Sequence, residues 1–257
     1  MRDLRTCLIQ TEIEPNDPET NLSAYEALLD QAHGHDLVIL PEVFTTGFSA
    51  RVRDHAEQEG GRVYHWLTDW AHRLQAVITG SVVVQEEGQY YNRLIWMRPD
   101  GSYQHYDKRH LFRMAGEHKR YAMGAERPVF ELKGWRILPQ ICYDLRFPVW
   151  SRNRGDYDLA FYVANWPAAR CLHWQRLLQA RAIENLSYLV GVNRIGQDEK
   201  GQMYQGDSAV YGPDGEVLVE AGAEGGCFSS TLSGKALLDY RSRFPADRDA
   251  DGFYLNV

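Results

Sequence analysis

Short apolar runs that suit buried strands alternate along this chain with segments of helical period, and hairpin turns interrupt the alternation. Leu4 to Ile13 alternates and stops at Glu-Pro-Asn-Asp-Pro, an opening strand. Leu22, Tyr25, Leu28, Leu29 and Ala32 recur at helical spacing before the run Leu37 to Leu40, a second strand that delivers Pro41-Glu42. Val63, Trp66, Leu67, Trp70 and Leu74 form the stripe of another helix. Strands follow over Ala76 to Gln85, Tyr90 to Met97 and Ser102 to Tyr106, parted by Glu-Glu-Gly-Gln and Pro99-Asp100-Gly101.

The second half repeats the alternation. Trp135 to Ile141 predicts a strand ending at Cys142, with Pro148 near the first turn of a following helix. Leu159 to Val163 and Tyr188 to Val192 predict strands on either side of a helix over Leu172 to Leu186. Asp207 to Tyr211 and Glu216 to Glu220 flank Pro213-Asp214-Gly215 as a second hairpin, and Cys227 to Leu232 is the last strand. Hairpins among interleaved helices fit a purely parallel doubly wound sheet poorly and predict an α/β fold of two mixed sheets with helices outside. The two Pro-Asp-Gly turns hint at a loose internal symmetry.

With 257 residues, 44% hydrophobic and 25% charged, the chain suits one domain over 1–257, with 233–257 as a C-terminal helix and tail. A net charge of −7, with no basic run longer than Lys108-Arg109-His110, argues against nucleic acid or an anionic membrane surface as a partner. Neither a secretory h-region nor a membrane span opens the sequence, so the cytoplasm is the expected location. Cys7, Cys142, Cys171 and Cys227 form no Cys-x-x-Cys pair and read as reduced thiols. The nine histidines show no zinc spacing, and no metal or organic cofactor is expected.

Hydrolysis of an amide by a thiol needs a nucleophile, a base and a site for the oxyanion. Glu42 follows an apolar strand, where partial shielding from water makes a carboxyl a competent base. Lys108 closes a strand, and an ammonium held near Cys142 favours thiolate and pairs with a developing oxyanion. Cys142 stands at a strand-to-helix elbow, where the Tyr143 N–H is a second oxyanion donor. Each has a plainer reading: a solvated loop glutamate, a surface lysine, a small core cysteine. Cys171 and His173 open an amphipathic helix and read as structural.

Together, Leu40-Pro41-Glu42, Tyr106-Asp107-Lys108-Arg109-His110-Leu111-Phe112 and Ile141-Cys142-Tyr143-Asp144-Leu145-Arg146-Phe147-Pro148 resemble the nitrilase (carbon-nitrogen hydrolase) superfamily over Leu4 to Leu232. Within it, Tyr162-Val-Ala-Asn-Trp-Pro167 and Ala180-Arg-Ala-Ile-Glu-Asn185 resemble the bacterial omega-amidase branch, whose enzymes hydrolyse 2-oxoglutaramate and 2-oxosuccinamate. The resemblance implies a four-layer α-β-β-α sandwich, a Glu42-Lys108-Cys142 centre, a homodimer, and a metabolic link to a glutamine or methionine transaminase. It also implies a further glutamate after the lysine block, where Glu117 is the only carboxylate in its stretch. The alternatives are a deaminated-glutathione amidase and a non-catalytic, thiol-bearing scaffold.

A 2-oxo dicarboxylic monoamide carries its carboxylate opposite the scissile amide, so a cation is expected beyond Cys142. Arg146 lies about one helical turn on and has the fork that suits a carboxylate. Arg113 and Arg170 are reserve cations, and Phe44 and Trp166 are the expected apolar walls. A structural salt bridge from Arg146 to Asp144 is the competing reading.

Overall fold

The computed structural model describes residues 1–49 and 51–255. In chain order the first half runs β1 (Leu4–Gln10), α1 (Pro18–Leu29), β2 (Leu37–Ile39), α2 (Arg62–Leu74), β3 (Val77–Glu86), β4 (Gln89–Met97) and β5 (Tyr103–Asp107). The second half runs β6 (Phe130–Leu132), β7 (Trp135–Ile141), α3 (Pro148–Ser151), β8 (Leu159–Ala164), α4 (Cys171–Asn185) and β9 (Tyr188–Asn193). It continues through β10 (Ile195–Gln197), β11 (Met203–Gln205), β12 (Ala209–Tyr211), β13 (Val217–Glu220), β14 (Gly226–Leu232) and α5 (Gly234–Arg243). No described helix is long and apolar enough to cross a membrane.

Two six-stranded sheets form, in the orders β14-β1-β2-β3-β4-β5 and β6-β7-β8-β9-β12-β13. Read in those orders, both sheets pair antiparallel, parallel, parallel, antiparallel, antiparallel. The shared pattern gives the hinted symmetry a structural form, since Pro99-Asp100-Gly101 joins β4 to β5 and Pro213-Asp214-Gly215 joins their counterparts β12 and β13. The halves differ at the edge strand, which is β6 directly before β7 in one and β14 at the far end of the chain from β1 in the other, and between their third and fourth shared strands. Only Glu87 and Gly88 separate β3 from β4, whereas the hairpin β10–β11 is inserted between β9 and β12.

Three apolar clusters account for the four layers. Leu4, Leu8, Trp96, Ile137, Phe161 and Val190 meet between the sheets. Cys7, Ile9, Tyr25, Val38, Leu67 and Trp70 join the first sheet to α1 and α2, and Leu138, Tyr162, Trp174, Leu178 and Leu189 join the second to α4. Alternation explains the split, because Leu8 faces the opposite sheet while its neighbours Cys7 and Ile9 face the helices. In α2 the residues Val63, Leu67, Trp70 and Leu74 are buried, and the helix ends on Gln75 in the left-handed region. Asp17 caps α1 by accepting from the Thr20 N–H at 3.1 Å, with Pro18 in its first turn.

Two expectations change. Cys7 and Cys227 are not reduced thiols: they are joined by a disulfide between neighbouring strands β1 and β14, leaving Cys142 and Cys171 free. The helix expected after Cys142 is short, a 3-10 turn over Cys142–Arg146 followed by the four residues of α3. The tail is anchored by α5, whose Arg241 bonds Asp158 at 2.7 Å and the Leu186 carbonyl at 2.8 Å.

Candidate active site

Strands β2, β5, β7 and β8 end at one edge of the sandwich, and a functional residue beyond the end of each turns toward the same point. Glu42 follows β2, Lys108 follows β5, Cys142 follows β7 and Asn165 follows β8. Lys108 Nζ lies 2.8 Å from Glu42 Oε1 and 2.9 Å from Glu117 Oε1. Asn92 donates to Glu42 Oε1 at 2.9 Å, and the Asn165 N–H donates to Oε2 at 2.7 Å. Glu42, Lys108 and Glu117 are all buried. Burial alone would lower the ammonium's pKa, but Glu117 and Glu42 outweigh it and hold Lys108 well above the ordinary lysine range. Glu117 is raised by burial, against the pull of Lys108.

Cys142 sits at φ 44°, a conformation that costs a non-glycine residue about 1–3 kcal/mol and recurs at functional sites. Its Sγ approaches the Asn165 carbonyl oxygen at 4.0 Å, and the Glu42 carboxylate is a neighbouring charge. Lys108 does not make it a resting thiolate, as the sequence suggested. Burial pushes the thiol pKa well up, the Glu42 charge adds to this, and Lys108 opposes both without prevailing. The ammonium is already engaged by two carboxylates, so the resting group is a protonated thiol beside a carboxylate.

A cavity of about 640 Å³ opens above these groups, with Glu42, Lys108, Cys142 and Asn165 in its lining. Tyr143, Arg146, Trp166 and Arg170 also line it. Arg146 lies over the Trp166 ring at 4.8 Å and bonds His173 Nδ1 at 3.0 Å, not Asp144; Arg170 lies over Phe112 at 5.5 Å. Neither arginine forms an ion pair among the described residues. Two expected residues lie elsewhere. Phe44 is fully buried in the outer layer against Tyr25 and Trp66, because Val43 turns through φ 44°; Phe48 and Phe112 are the phenylalanines in the cavity. Arg113 is exposed on the 3-10 turn Arg113–Ala115 and is absent from the lining, although its neighbour Met114 is there.

The carbon-nitrogen hydrolase model matches residues 5–232, nearly the whole of both sheets. The chain belongs to that family. This carbon-nitrogen hydrolase is similar to an omega-amidase, YafV, of Yersinia enterocolitica, at 49% identity over 256 residues, which covers 99% of this chain and 100% of the relative. A 2-oxoglutaramate amidase of Bacillus subtilis is 32% identical over 250 residues, covering 95% and 96% of the two chains. The crystal structure of XC1258 from Xanthomonas campestris, a CN-hydrolase superfamily protein with an arsenic adduct in its active site, matches with a TM-score of 0.98. It shares 50% identity, with 100% of both chains covered.

Sequence reasoning passed over several residues of this hydrolase. Asn92 lies inside β4 between Tyr91 and Arg93, and Asn165 just past β8, where a single asparagine marks no recognisable pattern. The tip of the β10–β11 hairpin, Asp198 to Gln202, forms part of the cavity wall, and Tyr204 stands behind it. Arg194 supports that hairpin from below, stacking on Tyr204 at 4.7 Å and donating to the carbonyls of Ile13 and Gln197 at 2.8 Å each.

Proposed function

We propose that the chain is an omega-amidase that hydrolyses the terminal amide of 2-oxoglutaramate or 2-oxosuccinamate through a thioester on Cys142. The observation that carries this reading is the convergence of Glu42, Lys108 and Cys142 on a cavity that also holds two arginines without acidic partners. Similarity to an omega-amidase and a 2-oxoglutaramate amidase supports the substrate class.

Glu42 takes the thiol proton as Cys142 Sγ attacks the amide carbonyl, so the thiolate exists only while the new bond forms. Lys108 and the Tyr143 N–H stabilise the oxyanion. Collapse breaks the carbon-nitrogen bond, Glu42 returns the proton to the departing nitrogen, and ammonia leaves. Glu42 then deprotonates a water that attacks the thioester, releasing the 2-oxo dicarboxylic acid and the thiol. Glu117 fixes the ammonium, with Phe112 N–H donating to the same carboxylate. Arg146 takes the substrate carboxylate, with Trp166 as its platform and Arg170 as the second cation of the cavity.

The cavity volume lies in the range that holds larger ligands, which keeps deaminated glutathione as a second substrate to test. Ammonia release is measured for 2-oxoglutaramate, 2-oxosuccinamate, glutamine and a simple nitrile, and release of the cysteinylglycine amine is measured for deaminated glutathione, whose scissile amide carries a dipeptide. The proposal predicts turnover of the first two well above the rest. Fastest turnover of deaminated glutathione would reassign the substrate, and neither ammonia nor dipeptide released from any compound would favour a thiol-bearing scaffold.

The enzyme is further proposed to act in the cytoplasm as a homodimer, with a transaminase supplying its 2-oxo acid amide. Val149 on α3 and Leu172 and Ile183 on α4 are apolar and exposed on the outer layer, which supports association there. Light scattering of the purified protein tests the dimer.

A further inference from the structure

The carboxylate of Asp144, two residues after Cys142, joins the chain segments that bear the thiol and the ammonium. It is fully buried and accepts four hydrogen bonds. The Ile141 N–H and the Tyr106 hydroxyl donate to Oδ2 at 2.9 and 2.8 Å. The backbone N–H and Nδ1 of His110 reach Oδ1 at 2.9 and 2.8 Å. Ile141 immediately precedes Cys142, and Tyr106 and His110 stand two residues either side of Lys108. One side chain therefore ties the elbow to the strand end that carries the ammonium.

The donors around it leave little freedom. Tyr106 Oη accepts from the Arg109 N–H at 3.2 Å and from Trp150 Nε1 at 3.1 Å, so its own proton is directed at Asp144. An ionised carboxylate only accepts, which places a proton on His110 Nδ1. The His110 ring stacks on Phe147, just past the 3-10 turn, with centroids 3.9 Å apart and planes 11° from parallel. Cys142 at φ 44° needs such support, because an unsupported elbow would relax toward commoner backbone angles and carry Sγ away from Glu42 and Lys108.

We propose that Asp144 is a positioning residue for the amidase reaction, holding Cys142 and Lys108 in mutual register through Ile141, Tyr106 and His110. The proposal rests on the reading of Cys142 as nucleophile and Lys108 as oxyanion partner. It also explains why an aspartate is required. Asparagine is isosteric, but its NH₂ group would face a backbone N–H in either orientation, that of Ile141 or that of His110. No rotamer satisfies both ends.

The test compares Asp144→Asn, Tyr106→Phe and His110→Ala with wild type and Cys142→Ala, using 2-oxoglutaramate. Ammonia release gives kcat and KM, iodoacetamide alkylation of Cys142 is followed against pH, and circular dichroism gives the folded fraction. Asp144→Asn is expected to lose about a hundredfold in kcat, the scale of a misplaced reacting group, with KM within about twofold. Tyr106→Phe and His110→Ala, each losing one side-chain hydrogen bond to the carboxylate, are expected to lose roughly three- to tenfold. In each variant the alkylation profile of the folded protein moves from that of wild type. A purely structural role predicts instead losses that match the unfolded fraction, with the alkylation profile unchanged, and that result overturns the proposal. Should Asp144→Asn fail to fold, the other two variants decide by the same criteria. Wild-type rates in all folded variants, with Cys142→Ala inactive, overturn the positioning role alone. Activity in Cys142→Ala removes the nucleophile reading and the positioning role with it.

Discussion

Asn165 holds Glu42 at two points, its N–H donating to Oε2 at 2.7 Å and its side-chain amide donating to the Glu42 carbonyl oxygen at 2.6 Å. The two residues follow corresponding strands, since β2 and β8 are the strands flanked by parallel partners on both sides. The site is thus closed where equivalent edges of the two sheets meet, and the proposed base is fixed by the sheet opposite its own.

Replacing Asn165 tests that grip. Asn165→Ala removes the side-chain bond to the Glu42 carbonyl and is expected to lower kcat by roughly three- to tenfold, the order of one neutral hydrogen bond. Asn165→Asp is expected to lose more at neutral pH, because a second carboxylate beside Glu42 favours retention of a proton by the pair. The pH dependence of kcat for both variants checks this: the acidic limb of the Asp variant should move to higher pH. Equal losses and unchanged profiles would mean that Asn165 does not act through Glu42.

Cys142 should behave as a poor free nucleophile. Its thiol pKa is raised by burial and by Glu42, so the thiolate fraction at neutral pH is smaller than for an ordinary cysteine. Alkylation by iodoacetamide without substrate is expected to be slow at pH 7 and to keep rising beyond the ordinary thiol range of about 8.5. The linkage has a definite sign. A folded pKa above the unfolded one adds stability below the unfolded pKa, and that stability is lost as pH rises through the folded value. Cys142→Ala is therefore expected to lose less thermal stability than wild type at alkaline pH. An alkylation rate that levels off near pH 7 would contradict the raised pKa.

Arg146 is expected to discriminate by charge. Arg146→Lys keeps a cation but loses the planar fork and the stacking on Trp166. Turnover of 2-oxoglutaramate should fall by at least roughly tenfold more than turnover of an uncharged short amide, about 1.4 kcal/mol in kcat/KM. Equal losses on both substrates would leave Arg146 with a scaffold role and make Arg170 the next cation to test.

The disulfide between Cys7 and Cys227 closes almost the full length of the chain, 220 residues apart. Thiol titration of the denatured, unreduced protein should find two free thiols, from Cys142 and Cys171, and four after reduction. Reduction is expected to cost about 2–4 kcal/mol of stability, the usual scale of a bridge that constrains the unfolded chain. Four thiols before reduction would return the pair to the state first read from the sequence.

What could be read in the sequence was the end of each strand. Glu42 and Cys142 each end an apolar run, and Lys108 closes the strand set off by the Pro99-Asp100-Gly101 turn. The mixed sheets followed from hairpins set among interleaved helices. Side-chain direction beyond a strand end was not legible, because one positive φ at Val43 sends Phe44 to the outer layer and brings Phe48 to the cavity. Nor was the hairpin β10–β11, whose two three-residue strands carry too few side chains for a period to emerge. The Cys7–Cys227 pairing depends on β1 lying beside β14, a tertiary fact that cysteine spacing does not encode.

The measurement that bears most directly on the central claim is ammonia release from 2-oxoglutaramate by the Cys142→Ala variant. The replacement takes one sulfur from a partly accessible site and should leave both sheets folded, as circular dichroism would show. Chemistry through a thioester predicts that the folded variant loses activity to at most about a thousandth of wild type, the scale of losing a nucleophile that acts with its partners as a unit. A folded variant that releases ammonia at the wild-type rate would contradict the mechanism, because no step could then pass through Cys142.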